Sequence, residues 1–190
     1  MDRLGWRNAS DLERFAWVCG YCGKNVGGNA GFERSNRVHD KAIYICPHCE
    51  NPTALIEDEN GGIGQIPAPA SGNDVEGLPK SVGALYGEIR RCIQYSSYTS
   101  AVLSMRKLLM HIAVEQGAKP GEPFIVYLDY LRDNGWISPK CGPWVDAIRK
   151  TGNEANHEIV FVSERQATEL LGFCEMVLKL VYEFPARMNA

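Results

Sequence analysis

Long apolar runs are missing from the 190-residue chain. The longest, such as Phe124 to Leu128, falls far short of the ~20 residues a membrane span needs. Met1 to Ser10 carries both charges and no apolar core, which is not the pattern of a secretory signal. The expectation is a cytoplasmic protein with no membrane partner. Charge of one sign is also scarce, with a net value of −3. Residues 1–57 hold 7 basic and 7 acidic side chains, residues 58–79 hold 0 and 4, and residues 80–190 hold 13 and 12. The acid excess therefore sits in the middle segment, and neither flank is a basic block that would bind nucleic acid by bulk electrostatics. No Gly-rich phosphate loop ending in Gly-Lys-Ser/Thr occurs; Gly61-Gly-Ile-Gly64 lacks both a preceding strand and the lysine. No Gly-x-Ser-x-Gly element occurs either, and the helical acids read as solvated faces. Disorder is excluded as well, because 45% of residues are hydrophobic and 23% charged, as in ordinary globular chains.

What is present divides into three parts, 1–57, 58–79 and 80–190. The middle part, from Asp58 to Pro79, is rich in Gly, Pro and acid and has no period of 2 or 3.6. It reads as a linker, or as an extended strap lying on one neighbour. Before it, β-like runs flank two cysteine pairs: Phe15 to Cys19 leads into the first, Ala42 to Cys46 into the second, and Thr53 to Ile56 follows. A segment this small buries little core and needs a staple. After the linker the period becomes helical, with helices expected near 80–96, 98–117, 123–134, 139–158 and 163–184. Ala101, Met105, Leu108 and Ile112 mark one buried stripe, and Ala167, Leu170, Cys174, Val177 and Val181 another. Pro123 and Pro139 suit first turns, and Gly135 suits a helix end. Ser163-Glu-Arg-Gln166 has the form of a capping box after Val162, and Pro185 is expected to stop the last helix.

Seven cysteines are present. Cys92, Cys141 and Cys174 fall singly in apolar helical patterns and read as small core residues. The other four stand as Cys19-x-x-Cys22 and Cys46-x-x-Cys49, with 23 residues between Cys22 and Cys46. A Cys-x-x-Cys turn lets two thiolates face one ion, and two such knuckles supply four sulfurs at tetrahedral positions. With no secretory signal, metal binding outweighs a disulfide framework, and two matched pairs outweigh a redox dithiol. The spacing fits a zinc ribbon holding one structural Zn2+ by four thiolates. His48 would point away from the metal, and His39 is the weaker substitute ligand. Trp17, Arg34, Arg37 and Lys41, with Arg14, Tyr21 and Lys24, offer aromatic and basic groups for RNA, DNA or a protein partner. The competing reading is that Trp17 and Tyr21 cover a tiny core while the charges are solvated.

A second constellation lies on the fourth helix. Val145, Ile148, Gly152, Ala155 and Ile159 form its buried stripe. Arg149, Asn153 and His157, at i, i+4 and i+8, line a polar stripe ~12 Å long beside it. These three are the candidate catalytic residues. The alternative is that Asn153 and His157 hydrogen-bond a neighbouring helix or a second copy.

With Ile148-Arg149, Gly152-Asn-Glu-Ala-Asn-His157, Met105-Arg-Lys-Leu-Leu109 and Val181-Tyr-Glu-Phe-Pro185, residues 80–187 resemble the prokaryotic domain-of-unknown-function family 4145. That family is similar to the HEPN superfamily of helical bundles, many of which are metal-independent ribonucleases or defence components that work as dimers. Joined to the zinc ribbon read from the cysteine spacing, the helical periodicity gives an α+β chain, a small β zinc ribbon followed by an all-α bundle of about five helices, which the resemblance makes HEPN-like. The resemblance also implies a homodimer through the helical part and a role in prokaryotic or phage conflict, in restriction or abortive infection. Active HEPN ribonucleases carry Arg-polar-x-x-x-His. Here Gly152 stands before Asn153, and Arg149 lies ~12 Å from His157 along the axis, against ~7.5 Å in the motif. A binding or regulatory protein is the first expectation, a ribonuclease with His157 as general acid/base the second, and a structural adaptor the third.

Overall fold

The computed structural model describes residues 5–33, 41–57, 60–157 and 161–188, of which 150–157 are described by backbone alone. The chain has an α+β arrangement and separates into two compact units, residues 1–70 and 71–190.

The first unit is an antiparallel sheet of β1 (Ser10–Val18), β2 (Asn25–Glu33), β3 (Lys41–Ile45), β4 (Pro52–Glu57) and β5 (Ile63–Ile66), in the order β1-β2-β3-β4-β5. The runs before and after the cysteines form β1, β3 and β4, as their β-branched and aromatic content predicts. β2 and β5 were not expected. β2 reads Asn-Val-Gly-Gly-Asn-Ala-Gly-Phe-Glu, a glycine-rich composition that signals turns, yet it is central and pairs on both sides. Gly31 shows why a small residue is needed there. It lies opposite Tyr44 in the register, and a Cβ on it would overlap the Ile43 carbonyl oxygen and the Leu12 side chain.

The sheet curls. β1 and β5 are its two edges, but the Gln65 side-chain amide on β5 donates to the Val18 carbonyl at the end of β1, 2.8 Å away. From the concave face the Tyr44 hydroxyl reaches across β2 and donates to the Glu13 carbonyl, at 2.8 Å. Leu12, Trp17, Tyr44 and Leu55 pack with the cysteines as the unit's small core.

The second unit is built around α2 (Tyr98–Glu115), which touches α1 (Lys80–Gln94), α3 (Phe124–Asp133), α4 (Gly142–His157) and α5 (Glu164–Leu178). Ala101, Met105, Leu108 and Ile112 are fully buried along it, and Ala167, Leu170, Cys174, Val177 and Val181 are buried along α5 and its extension. The capping box at Ser163 and Gln166 forms, with buried Val162 before it and buried Ala167 after it. Gly135 ends α3 as expected. At φ +80° it donates to the Arg132 carbonyl while Trp136 donates to Leu131, a Schellman arrangement. Pro139 opens a short 3-10 turn before α4 rather than α4 itself.

Pro185 does not stop the last helix. α5 widens into a π-helical turn over Lys179–Glu183 and continues as α6 (Phe184–Met188), so Pro185 falls inside a helical segment. In an α-helix the proline ring would collide with the carbonyl four residues back; the wider π turn directly before it removes that conflict.

The segment 58–79 is absorbed by both units. Ile63–Ile66 becomes β5, and residues 71–77 lie as a strap on α1 and α5. Arg90 donates to the carbonyls of Ser71 and Gly72 and pairs with Asp74, while the Tyr86 hydroxyl donates to the Asn73 carbonyl. Two helical acids, expected on solvated faces, are instead buried under this strap. Glu175 is 8% exposed and Glu183 5%. Glu175 accepts from the Asn73 backbone (2.8 Å), the Asn73 side chain (3.0 Å) and Lys179, and Glu183 accepts from the Glu76 backbone at 3.1 Å. A strap without periodicity leaves backbone N–H groups needing acceptors, and these carboxylates supply them.

Candidate metal centre

Two turns of matching geometry carry the cysteines. In the first, the Cys19 N–H donates to the Lys24 carbonyl (2.9 Å) and Gly23 donates back to the Cys19 carbonyl (2.8 Å). In the second, Cys46 donates to Asn51 (3.0 Å) and Glu50 donates to Cys46 (2.9 Å). The residue after each pair takes a left-handed conformation, Gly23 at φ +69° and Glu50 at φ +59°. Glycine meets that demand freely at the first turn; glutamate does not at the second. The amides of Tyr21 and Cys22 point at the Cys19 sulfur, and those of His48 and Cys49 at the Cys46 sulfur.

The four Sγ atoms lie within 4.8 Å of one another, with Cys19 to Cys49 at 3.7 Å and Cys22 to Cys46 at 3.9 Å. Four sulfurs held tetrahedrally ~2.3 Å from one ion are ~3.8 Å apart, so these separations fit a single metal ion bound by four thiolates. Cys19 and Cys46 are buried and Cys22 and Cys49 partly so. Burial pushes the Cys19 thiol up to about 12 and raises Cys46 too. At Cys49 burial acts in the same direction, but hydrogen bonds from Asn51 and from the neighbouring cysteines outweigh it and bring the thiol to about 7. A dication at the centre would reverse the burial effect and hold all four as thiolates. His48 takes no part, and its Nε2 lies 2.6 Å from the Lys24 ammonium on the surface.

The other expected site residues are not gathered with the metal centre. Trp17 is 6% exposed and packs on Tyr44 with ring centroids 5.5 Å apart, so it forms part of the core and has no face free to stack on a base. Its burial agrees with the competing reading, in which Trp17 covers a tiny core. The small sheet has few large side chains with which to cover its cysteines, and the indole is one of them. Lys41 is exposed at the start of β3, and Arg34 and Arg37 lie outside the described residues. On α4, Arg149 is half-exposed and pairs with Asp146 one turn earlier, at 3.3 Å. The side chains of Asn153 and His157 lie outside the described residues, although the helix backbone runs through both positions. Of the single cysteines, Cys174 is fully buried, which pushes its thiol up to about 12, while Cys92 and Cys141 pack partly buried against the same core.

Two features went unread in the sequence. Phe15 and Tyr44, with rings 5.8 Å apart, help line a cavity of about 290 Å3 on the concave side of the sheet. In the helical unit, the Arg106 guanidinium lies 4.4 Å from the Phe124 ring centroid. Neither involves a local motif, and both arise from residues distant in sequence.

No helix among the described residues is long and apolar enough to cross a membrane. No curated protein and no solved structure matches the chain. The family described as Domain of unknown function (DUF4145) matches residues 87–190, more than half of the chain and most of the helical unit. By that match, the chain belongs to the DUF4145 family.

Proposed function

We propose that the chain is a binding and regulatory protein in which a zinc-stapled β unit recognises a protein partner and a HEPN-like helical unit assembles as a homodimer. The observation that carries this reading is the closed sulfur cluster. Four cysteine sulfurs within 4.8 Å fill every position of a tetrahedral ion. Such a site leaves no place for substrate or water, so the ion holds the fold together and does no chemistry. Zinc is the ion proposed, because a soft tetrahedral S4 set suits it and it adds no redox reactivity. When bound it supplies cohesion that the few buried side chains of residues 1–70 do not. A protein partner is preferred over nucleic acid because Trp17 is buried and the acids and bases of residues 1–57 balance. By its resemblance to defence components, the chain would act in restriction, abortive infection or their control.

A ribonuclease using His157 is less well supported. Its arginine candidate, Arg149, is paired with Asp146 on the surface. General acid/base cleavage also needs a cation beside the developing phosphorane.

The test has two arms. Metal analysis of purified chain should find one zinc per chain, lost in Cys46→Ser; a folded, metal-free wild type would overturn the staple. Incubation with a labelled RNA pool should give no cleavage in the presence or absence of chelator. Cleavage that survives chelator and vanishes in His157→Ala would make the protein a ribonuclease instead.

A further inference from the structure

β2 outruns its neighbour in the sheet. Gly31, Phe32 and Glu33 pair with β3, whereas Asn25 to Ala30 have β1 on one side and no strand on the other among the described residues. Continued, the β2–β3 register would set Gly28 against Pro47, which has no N–H to give, and there the chain turns into the second knuckle. In an antiparallel strand every second residue directs its N–H and C=O to the same side. This stretch of β2 therefore presents backbone donors and acceptors that no strand takes up.

A cavity of about 460 Å3 lies where β3 would have continued, lined by residues 27–30, Ile45, Pro47 and Arg14. Its size is within the ~300–1,000 Å3 of ligand pockets, and four residues of strand span ~14 Å. Gly27 and Gly28 leave the floor without side chains, which lets another backbone come close. Ile45 adds an apolar wall. Arg14 reaches the cavity from a bulge in β1. Asp11 faces Ala30 and Phe15 faces Gly28, so Leu12, Glu13 and Arg14 together oppose Asn29 alone. Bulges of this kind re-aim a side chain where pairing is interrupted.

Charge decides which strand enters. Arg14 is exposed and makes no hydrogen bond or ion pair among the described residues. The acids of its own strand do not neutralise it, because Asp11 accepts from Asn29 at 2.8 Å and Glu13 is engaged elsewhere. No acid lines the cavity. A peptide strand matches both the donors and the acceptors of β2, and a carboxylate on it matches the guanidinium. A phosphodiester accepts hydrogen bonds but donates none, so it would leave the β2 carbonyls unmatched.

We propose that an extended peptide of a partner fills this gap, paired to residues 25–30 of β2, with an aspartate or glutamate side chain on Arg14. The proposal rests on the reading of the β unit as a partner-recognition module and names the chemistry of that partner.

The test titrates the full metal-loaded, isotope-labelled chain with a capped Thr-Val-Glu-Val-Thr peptide. Parallel titrations use the same peptide with glutamine or lysine in place of glutamate, or with its amide nitrogens methylated. The glutamate peptide should bind with a Kd of about 1 mM or tighter, and it should shift the amides of residues 25–30 but not those of Ile63–Ile66 at the sheet's outer edge. Glutamine, N-methylation and Arg14→Gln should each weaken binding about tenfold, and lysine should abolish it. Raising salt from about 50 to about 300 mM should weaken it as well. Arg14→Gln changes an exposed side chain, so the zinc content should stay unchanged. Equal binding of the glutamine peptide, no effect of Arg14→Gln, shifts confined to Ile63–Ile66, no binding of the glutamate peptide, or tighter binding of single-stranded RNA would each overturn the assignment. If the peptide fails while one zinc per chain is retained, the gap assignment falls and the stapled-module reading stands.

Discussion

Replacing Glu175 by glutamine would show how far the strap belongs to the helical fold. The carboxylate is 8% exposed and accepts two hydrogen bonds from Asn73, at 2.8 and 3.0 Å, as well as pairing with Lys179. A hydrogen bond to a charged acceptor contributes ~1.5–3 kcal/mol, and a buried donor left without a partner costs ~1–3 kcal/mol. Glutamine keeps one acceptor oxygen but turns an amide toward a strap donor. It therefore loses one charged bond outright and weakens the other, for a net cost of about 3 kcal/mol. In a unit of this size, residues 71–190, that lowers Tm by roughly 10 °C and the urea midpoint by about 1–2 M with m unchanged. Far-UV circular dichroism follows the helices and reads both. The same residue sets a pH dependence. Burial alone would raise the Glu175 pKa, but hydrogen bonds from Lys179 and Asn73 outweigh it and hold it below its ordinary value. A carboxylate whose pKa is depressed by folding binds fewer protons in the native state. Its stabilisation is complete above the unfolded value of ~4.3 and is lost as pH falls through the lower, folded value. Wild-type stability should therefore drop more steeply than that of Glu175→Gln below about pH 4.3. A variant with an unchanged midpoint and the same acid limb would refute the claim that this carboxylate anchors the strap.

Other perturbations test both units. Gly31→Ala places a methyl group against the Ile43 carbonyl and should cost ~1–3 kcal/mol, read as a lower midpoint of the metal-loaded protein. Glu50→Gly relieves a non-glycine residue at φ +59°, where left-handed geometry costs ~1–2 kcal/mol, partly offset by the freer unfolded chain. A gain of about 0.5 kcal/mol is expected, and resistance of the metal to a competing chelator should rise or stay level. Cys174→Ser buries a hydroxyl in an apolar site and should cost ~1–3 kcal/mol by urea titration, with metal content unchanged.

The helical unit was largely legible because its information is local. Ala101, Met105, Leu108 and Ile112 recur at helical spacing and are all fully buried. Ser163 and Gln166 specify an N-terminus by themselves, and Gly135 ends α3 at the position its backbone freedom suits. The misses share one cause, which is tertiary structure overriding a local signal. β2 is a strand despite its glycines because Tyr44 and Ile43 need close approach from the neighbouring backbone. Glu175 and Glu183 sit on helix positions that look solvated until the strap arrives from about a hundred residues away in sequence. Pro185 reads as a stop in the sequence because the period shows no sign of the π turn that accommodates it.

The same distinction separates the parts of the candidate site. The metal cluster could be read from spacing because each knuckle is a local turn, and only the meeting of the two turns is tertiary. That meeting is enforced by the β3–β4 and β1–β2 hairpins, which place one Cys-x-x-Cys at the end of each. The concave cleft offered no such motif. Glu13, Tyr44, Glu57 and Ile63 come from four strands and share a face only once the sheet has curled. Trp17 connects the two. In sequence it reads either as a stacking platform or as cover for a tiny core, and folding turns it against Tyr44 and beneath Gly28, where it packs with the cysteines and the Tyr44 that lines the cleft. Loss of the metal should therefore disturb the cleft as well as the knuckles. On chelation the tryptophan emission should shift to the red as buried Trp17 meets water, a change that Trp17→Phe removes, and an emission unchanged by removal of the metal would show that the sheet stands without its staple.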